Sequence, residues 1–251
     1  MSAHITDLQR RRGDYGIDAP AWLALLAAFA AGWTIVAVVL DVLGVSAVLV
    51  IVAAAFAVSQ FLSTALYAYT TRAGKFVVWA RLLAGLDLRG DERLLDMGCG
   101  RGAVLLMAAK LLPRGRAVGV DLWKTIDQSG NDPSATEANA RREGVADRVE
   151  LRTADVTDLP FEDASFDVVV SSMAIHNITD AGGRRKAVEE AARVLRPGGR
   201  LVVVDFQHTR AYAATLRELG LTAVEERALG WRFWYGGPWT AARLVTATGG
   251  G

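Results

Sequence analysis

The chain has 251 residues, 28 basic against 27 acidic, a formal charge of +1 and 52% hydrophobic residues. That length holds one catalytic-size domain plus an extra segment, and the even charge balance argues against a dedicated nucleic-acid binder, which carries a basic surplus. A single cysteine, Cys99, excludes a disulfide framework and a multi-cysteine zinc site, and three histidines do not suggest a metal cage.

Mean hydropathy is positive, which is unusual for a soluble enzyme, and the excess lies at the front of the chain. Residues 1–19 form an N-terminal segment carrying Arg10, Arg11 and Arg12. Residues 21–40 read AWLALLAAFAAGWTIVAVVL, and residues 42–69 are equally free of charge, with Asp41 alone between the two runs. At about 1.5 Å per residue each run crosses a hydrocarbon layer of roughly 30 Å, and a helix satisfies its own backbone there. The pattern predicts a transmembrane helical hairpin over residues 20–70, in contact with a lipid bilayer and turning near residues 41–46. Arginines before the hairpin, Arg72 and Lys75 after it, and no basic residue in the turn predict a multi-pass cell-membrane protein with both termini and the following domain cytoplasmic. Trp22, Tyr67 and Tyr69 fall near that cytoplasmic boundary, where amphipathic rings are favoured. A cleaved signal peptide has a shorter apolar core and no second run behind it. A soluble hairpin would need more chain to wrap it than the ~180 residues left. A re-entrant hairpin stays open. Gly32 and Gly44 make no clear small-residue seam, which leaves a homodimer possible but unspecified.

Residues 71–251 change character. A helix over residues 76–86 precedes short apolar strand candidates at 93–97, 117–120, 149–152, 166–171 and 200–205, with helical stretches at 103–111, 134–143, 184–195 and 211–219 between them. The alternation predicts an α/β domain with a mostly parallel sheet covered on both faces. Strand candidates 223–228 and 243–248 lack a helix between them and predict an antiparallel edge hairpin. The Gly249–Gly251 end reads as a frayed tail. In such a sheet, ligands bind at the carboxyl ends of the strands where strand order reverses.

The residues that carry chemistry fall at those ends. After the first strand comes Asp96-Met97-Gly98-Cys99-Gly100-Arg101-Gly102, a glycine turn opening a helix. Its G-x-G-x-G spacing behind an acid differs from the dinucleotide fingerprint, and no Gly-Lys-Ser/Thr comes after it as in a phosphate loop. Asp121 ends the second strand, where a carboxylate can accept two hydrogen bonds from a ribose, and Ala154-Asp155-Val156 closes the third, where a carboxylate can meet an exocyclic amine. Pro197-Gly198-Gly199 punctuates the start of the fifth strand.

LLDMGCGRGAVLL, VGVDL, TADVTDLPFEDASFDVVVSS and VLRPGGRLVVVD together resemble class I S-adenosylmethionine-dependent methyltransferases, in that family's order and spacing over roughly residues 83–248. LPFEDASFDVV is closest to the small-molecule branch that includes ubiquinone/menaquinone and arsenite methylating enzymes. The resemblance implies a Rossmann-like seven-stranded sheet with an antiparallel last strand, and S-adenosylmethionine as cofactor without a metal. By position, Asp96, Gly98, Gly100 and Gly102 would line the methionine and ribose side. Asp121, with Leu122 beside it, would hold the ribose hydroxyls, Asp155 and Val156 would read adenine, and Ser171 and Ser172 would edge the methionine pocket.

One stretch departs from the family. Residues 122–132, LWKTIDQSGND, lengthen the passage from the ribose acid to the next helix, which should be capped near residues 132–134. Trp123 is placed to stack on adenine or cover it, and Lys124, Asp127, Gln128 and Asn131 to meet substrate, unless the loop is a plain surface insertion. His176, after the fourth strand, is the general-base candidate where an acceptor needs one, with Asn177 orienting that acceptor; a packing histidine is the alternative. Residues 230–239, GWRFWYGGPW, form an aromatic hairpin loop that packs, touches the bilayer or walls an apolar pocket. The expected function is methyl transfer to a lipophilic or membrane-located small molecule. A membrane-proximal protein acceptor and a non-catalytic cofactor-binding scaffold are the competitors. No nucleic acid is expected as partner, since Ser-Ser-Met-Ala replaces the Asn/Asp-Pro-Pro-Tyr tetrad of amino-group DNA methyltransferases.

Overall fold

A computed structural model describes residues 2–250; Met1 and Gly251 lie outside the described residues. After a short helix α1 (Ser2–Gln9) and an extended stretch, α2 (Pro20–Val42) and α3 (Ala47–Tyr69) form the apolar hairpin. Asp41 closes α2 rather than lying in the turn, and its carbonyl accepts the Gly44 N–H (3.0 Å). Trp33 stacks on Phe56 across the pair at 4.9 Å. Both helices are long and apolar enough to cross a membrane. Their outward faces are bare, with Val42 78% and Leu62 67% exposed, unlike a core helix.

The second span does not end in a linker. A π-turn (Thr70–Gly74) joins α3 directly to α4 (Lys75–Ala84), and the three form one continuous helical rod. A π-turn carries an extra residue, which rotates the next helix about the shared axis. It sits where Gly74 passes the aromatic loop so closely that a Cβ there would stand 1.9 Å from the Arg232 carbonyl oxygen. α4 then buries Phe76, Trp79, Ala80 and Leu83 against the domain.

The domain is one seven-stranded sheet: β1 (Arg93–Met97), β2 (Arg116–Asp121), β3 (Val149–Thr153), β4 (Phe166–Ser172), β5 (Leu195–Asp205), β6 (Thr222–Ala228) and β7 (Arg243–Thr248), in the order β3-β2-β1-β4-β5-β7-β6. β1 to β5 run parallel; β7 is antiparallel to both β5 and β6, so it lies one strand in from the edge. Helices α5 (Ala103–Lys110), α6 (Pro133–Glu143), α7 (Ala181–Arg193) and α8 (Thr209–Glu218) complete the alternation. The apolar runs LLDM and VVVSS become strands because both their faces are covered, which is what a central parallel strand requires. α5 is apolar nearly all round for the same reason. A Cβ on Gly119 would come within 2.7 Å of Leu105 and Cys99, so β2 and α5 pack at glycine distance. Cys99 is a buried filler there. The chain end is not loose at Gly249, whose N–H donates to the Gly199 carbonyl (2.8 Å).

The order reverses at β1, which lies between β2 and β4. Met97 pairs with Val120 on one side and Ser171 on the other, so the strand ends carrying Asp96, Asp121 and Ser171 share one rim.

Residues 12–19, set apart from the domain by sequence alone, are fastened to it. The Glu143 carboxylate accepts the N–H groups of Arg12 and Gly13, the Tyr15 hydroxyl (2.8 Å) and the Lys110 ammonium (2.8 Å). Further on, Asp18 forms a bridge with Gln128, and the Ala19 N–H donates to the Asp127 carbonyl (2.9 Å). This strap leads straight into α2.

Candidate active site

A cavity of about 440 Å³ opens at the rim where strand order reverses. Its floor is the glycine turn. Gly98, Gly100 and Gly102 all take positive φ, which glycine alone adopts freely, and Gly102 caps α5 from the left-handed region. Asp121 braces this turn: one carboxylate oxygen accepts the Gly100 N–H (2.8 Å), the other the Trp123 N–H (2.6 Å) and the Asn131 side-chain amide (3.2 Å). From behind, Thr136 donates to the Gly100 carbonyl (2.8 Å) and Asn139 to the Arg101 carbonyl (3.0 Å).

Asp96 is the electrostatic centre. It is 1% exposed, and neither carboxylate oxygen has a well-formed hydrogen bond. Burial pushes its carboxyl up to about 8; the backbone N–H of Leu105 pulls the other way, and the neighbouring Asp121 adds to the rise. Such an orphaned carboxyl facing a cavity calls for a cationic ligand. Asp155 stands at the opposite end, more exposed. Bonds from Thr157 to its carboxylate hold it below the ordinary range despite some burial.

Asp96, Gly98, Gly100, Asp121, Leu122, Asp155, Val156, Ser172 and Asn177 all meet on the cavity wall. Four expected residues do not. The Ser171 hydroxyl turns into the sheet and donates to the Met97 carbonyl (2.9 Å), because β4 alternates its faces and only Ser172 points outward. The His176 ring stays behind the wall, edge-on to Phe206, with Nδ1 2.7 Å from Asp205 but out of line for a directed hydrogen bond. Its own N–H also donates to Asp205 (3.0 Å), so the packing alternative describes its position better than the catalytic one. Trp123 swings out to Thr153, its indole N–H donating over 2.8 Å, and neither stacks in the cavity nor covers it. Gly102 shapes the turn without lining the space.

The 122–132 loop is no free surface insertion. Lys124, Asp127, Gln128 and Asn131 line the cavity, and the strap holds the loop there. Gln128 is the hinge pin: its amide oxygen accepts the Arg101 N–H (2.8 Å) and its amide nitrogen donates to the Tyr15 carbonyl (3.0 Å) and to Asp18 (3.0 Å). The aromatic loop packs on the foot of the hairpin, Tyr69 on Trp231 at 5.3 Å and Tyr67 edge-on to Tyr235 at 5.2 Å.

Among the wall residues not evident from the sequence are Asp18, Lys75, Trp79 and Tyr235. Lys75, a membrane-flanking charge by sequence, is buried, and its ammonium bonds to both oxygens of Asp18 (2.7 and 2.8 Å). The Tyr235 hydroxyl donates to Asp18 as well (2.9 Å). Tyr67, an interfacial ring by sequence, is buried and donates to the Asp18 carbonyl (3.0 Å). The available signal was a lone lysine directly ahead of the apolar run FVVWA, and an acid close ahead of the first apolar run.

Residues 95–203 match the family described as methyltransferase domain. That match takes in 109 of the 251 residues. Among curated proteins, the 27-O-demethylrifamycin SV methyltransferase of Amycolatopsis mediterranei is 39% identical over 128 residues, 50% of this chain and 43% of that protein. The ubiquinone/menaquinone biosynthesis C-methyltransferase of Dinoroseobacter shibae is 37% identical over 130 residues, 51% of this chain and 48% of that one. The chain thus spans a little under half the length of these relatives. Among solved structures, the fold is shared with geranyl diphosphate C-methyltransferase from Streptomyces coelicolor (TM-score 0.54, 18% identity, 68% of this chain and 77% of that). It is shared also with a SAM-dependent methyltransferase from Aquifex aeolicus (TM-score 0.52, 18% identity, 68% and 88%). The cofactor of this methyltransferase domain is S-adenosylmethionine, and the residues present fit it: a buried unpartnered acid for a cation, a bare glycine turn, and a second and third carboxylate at the strand ends beyond.

Proposed function

We propose that the chain transfers a methyl group from S-adenosylmethionine to a lipophilic small molecule while its two apolar helices hold it in a membrane. The observation that carries this reading is the continuous rod. Lys75 and Trp79 line the cavity, yet they lie only six and ten residues past Tyr69 at the end of the second apolar helix. At helical rise that is about 9 and 15 Å. A cavity so close to a bilayer surface suits an acceptor that resides there. The quinone-pathway and rifamycin methyltransferases among the relatives favour a small-molecule acceptor over a protein. Arg10, Arg11, Arg12 and Arg72 cluster at the domain end of the hairpin and favour a cytoplasmic domain.

When bound, the cofactor supplies a methyl group on a sulfonium, activated without further help. The protein aligns and shields. Asp121 fixes the glycine turn and has one acceptor position left for a ribose hydroxyl, with Leu122 beside it; Asp155 and Val156 would hold the adenine. Asp96 draws the positive methionine end inward, and Ser172 and Asn177 edge the place where the acceptor's atom must sit in line with the breaking bond. We read His176, whose ring and backbone N–H both face Asp205 behind the wall, as a packing residue rather than as the base.

The full-length chain in lipid nanodiscs tests this. It should remain with membranes after alkaline carbonate extraction, bind S-adenosylmethionine by calorimetry, and label an organic-soluble product from methyl-labelled cofactor and membrane extract. Label appearing only in protein would overturn the acceptor class, and binding with no labelled product would favour the scaffold.

A further inference from the structure

We propose that Lys75 is the acceptor-binding residue of this site, and that the acceptor is a membrane-borne phenol or enol whose reactive oxygen sits against the Lys75 ammonium. The inference rests on the methyltransferase reading above and gives it a substrate class. An ammonium has three N–H donors. Two of those of Lys75 bond to Asp18, and no third hydrogen-bond partner is found among the described residues; the Phe76 ring lies 5.5 Å from the ammonium. Lys75 is 6% exposed and lines the cavity, which leaves its remaining donor for a group bound there.

Its neighbours are arranged to hold it rather than to share its task. The Asp18 carboxylate accepts two bonds from Lys75, one from Gln128 and one from Tyr235, which fills its acceptor positions and leaves none for a substrate proton. The Tyr235 hydroxyl points at Asp18, and burial, with Asp18 beside it, keeps the phenol in its neutral form. The other titratable wall groups, Asp96, Asp121, Asp127, Asp155, Asp180 and Lys124, include five carboxylates, so the rest of the cavity disfavours an anion. Lys75 is the place where a developing oxyanion is stabilised, and it stands on the rod nearest the apolar helices. Trp79, one turn further along the same face, offers an aromatic wall, fixed by its indole bond to Ser172 (2.8 Å).

The step balances without another reagent. The acceptor hydroxyl loses its proton to water, made easier by the ammonium. The oxygen, or a carbon conjugated with it, forms a bond to the methyl carbon as the carbon–sulfur bond breaks, and the sulfonium becomes a neutral thioether. For carbon attack, the proton on that carbon is then lost to water while the oxygen regains one, so a single proton is released in either case.

The test uses full-length chain in phosphatidylcholine nanodiscs with saturating S-adenosylhomocysteine, and 1-naphthol as probe, because its ionised form absorbs at longer wavelength. Bound to the wild type, the naphthol should ionise about 1–3 pH units below its value in empty discs. Lys75→Gln should abolish that difference with S-adenosylhomocysteine affinity held within about twofold. The paired exchange Asp18→Asn with Lys75→Gln removes both buried charges together, guards against a misfolded single variant, and should give the same result. Naphthol that fails to bind the wild type, or ionises alike in wild type and folded variants, overturns the proposal. Loss of S-adenosylhomocysteine binding by the wild type sinks the underlying methyltransferase reading, in a separate measurement.

Discussion

Two carboxylates at the rim of the sheet differ in what they do for binding. Asp121 already organises the glycine turn through the Gly100 and Trp123 N–H groups. Asp121→Ala should weaken S-adenosylmethionine binding by on the order of 2–3 kcal/mol, because a charged acceptor of several bonds is lost and buried N–H groups are left without partners. Calorimetry reads this directly, and unchanged affinity would mean the ribose lies elsewhere. Asp96 has the opposite character. Its folded value of about 8 stands above its unfolded one near 4, so its contribution to stability is present in acid and is lost as pH rises through 8. A bound cation reverses the preference, so cofactor binding expels a proton. Affinity for S-adenosylmethionine should therefore climb with pH from 6 to about 8 and then level, and Asp96→Asn should remove the part of that climb that exceeds the cofactor's own titration. Measured proton release in buffers of different ionisation enthalpy gives the same answer independently.

Elements were legible in the sequence wherever one pattern decided them. Every strand expected between residues 93 and 248 exists, within a few residues of its bounds, because alternation of apolar runs with helical stretches leaves few topologies. β5 starts earlier than expected, at Leu195, which pairs with Phe166 before a register shift carries the ladder past Pro197-Gly198-Gly199 to Arg200. The strap and the π-turn were not legible, because both depend on partners far away in the chain. Glu143 gathers Arg12, Gly13, Tyr15 and Lys110 across much of the chain, and nothing local to residues 12–15 announces it. Burial works to raise the Glu143 carboxyl, but Lys110 and the strap's donors outweigh it and hold it below its ordinary value. That stabilisation is present above about pH 4.5 and is lost as pH falls through the depressed value. Proteolysis within residues 10–19 should accordingly accelerate on acidification, and Glu143→Gln should show the faster cleavage at neutral pH. At the π-turn, Gly74→Ala drives a methyl group into the Arg232 carbonyl. It should cost about 1–3 kcal/mol and lower the melting temperature by roughly 2–4 °C for each, with loosening of the aromatic loop detected by tryptophan fluorescence.

At the scale of the whole molecule, the sequence suggests a head on a tether, and the structure is more tightly joined. The strap, the hairpin foot, the aromatic loop and the 122–132 loop all converge on Asp18, which takes side-chain bonds from Lys75, Gln128 and Tyr235. Gln128 passes that connection to the Arg101 N–H in the cofactor turn. Removing residues 1–69 therefore strips more than an anchor. It exposes Phe76 and Tyr235, unpairs the Lys75 ammonium and frees Gln128. Residues 70–251 alone should aggregate or bind S-adenosylmethionine at least about tenfold more weakly than the full chain in detergent, a loss of roughly 1.4 kcal/mol or more. Equal affinity in a well-behaved truncated protein would show that the hairpin and strap are dispensable to the cavity.

The unbroken helical run from α3 through the π-turn into α4 also sets how the catalyst would meet its acceptor. If the hairpin sits in a bilayer as proposed, the continuous rod would set the height of the cavity above it. Encounter with a lipid-borne acceptor would then be a two-dimensional search, governed by how many acceptor molecules share each patch of lipid. Adding buffer to such a system changes little, whereas adding inert phospholipid slows turnover in proportion to the surface it creates.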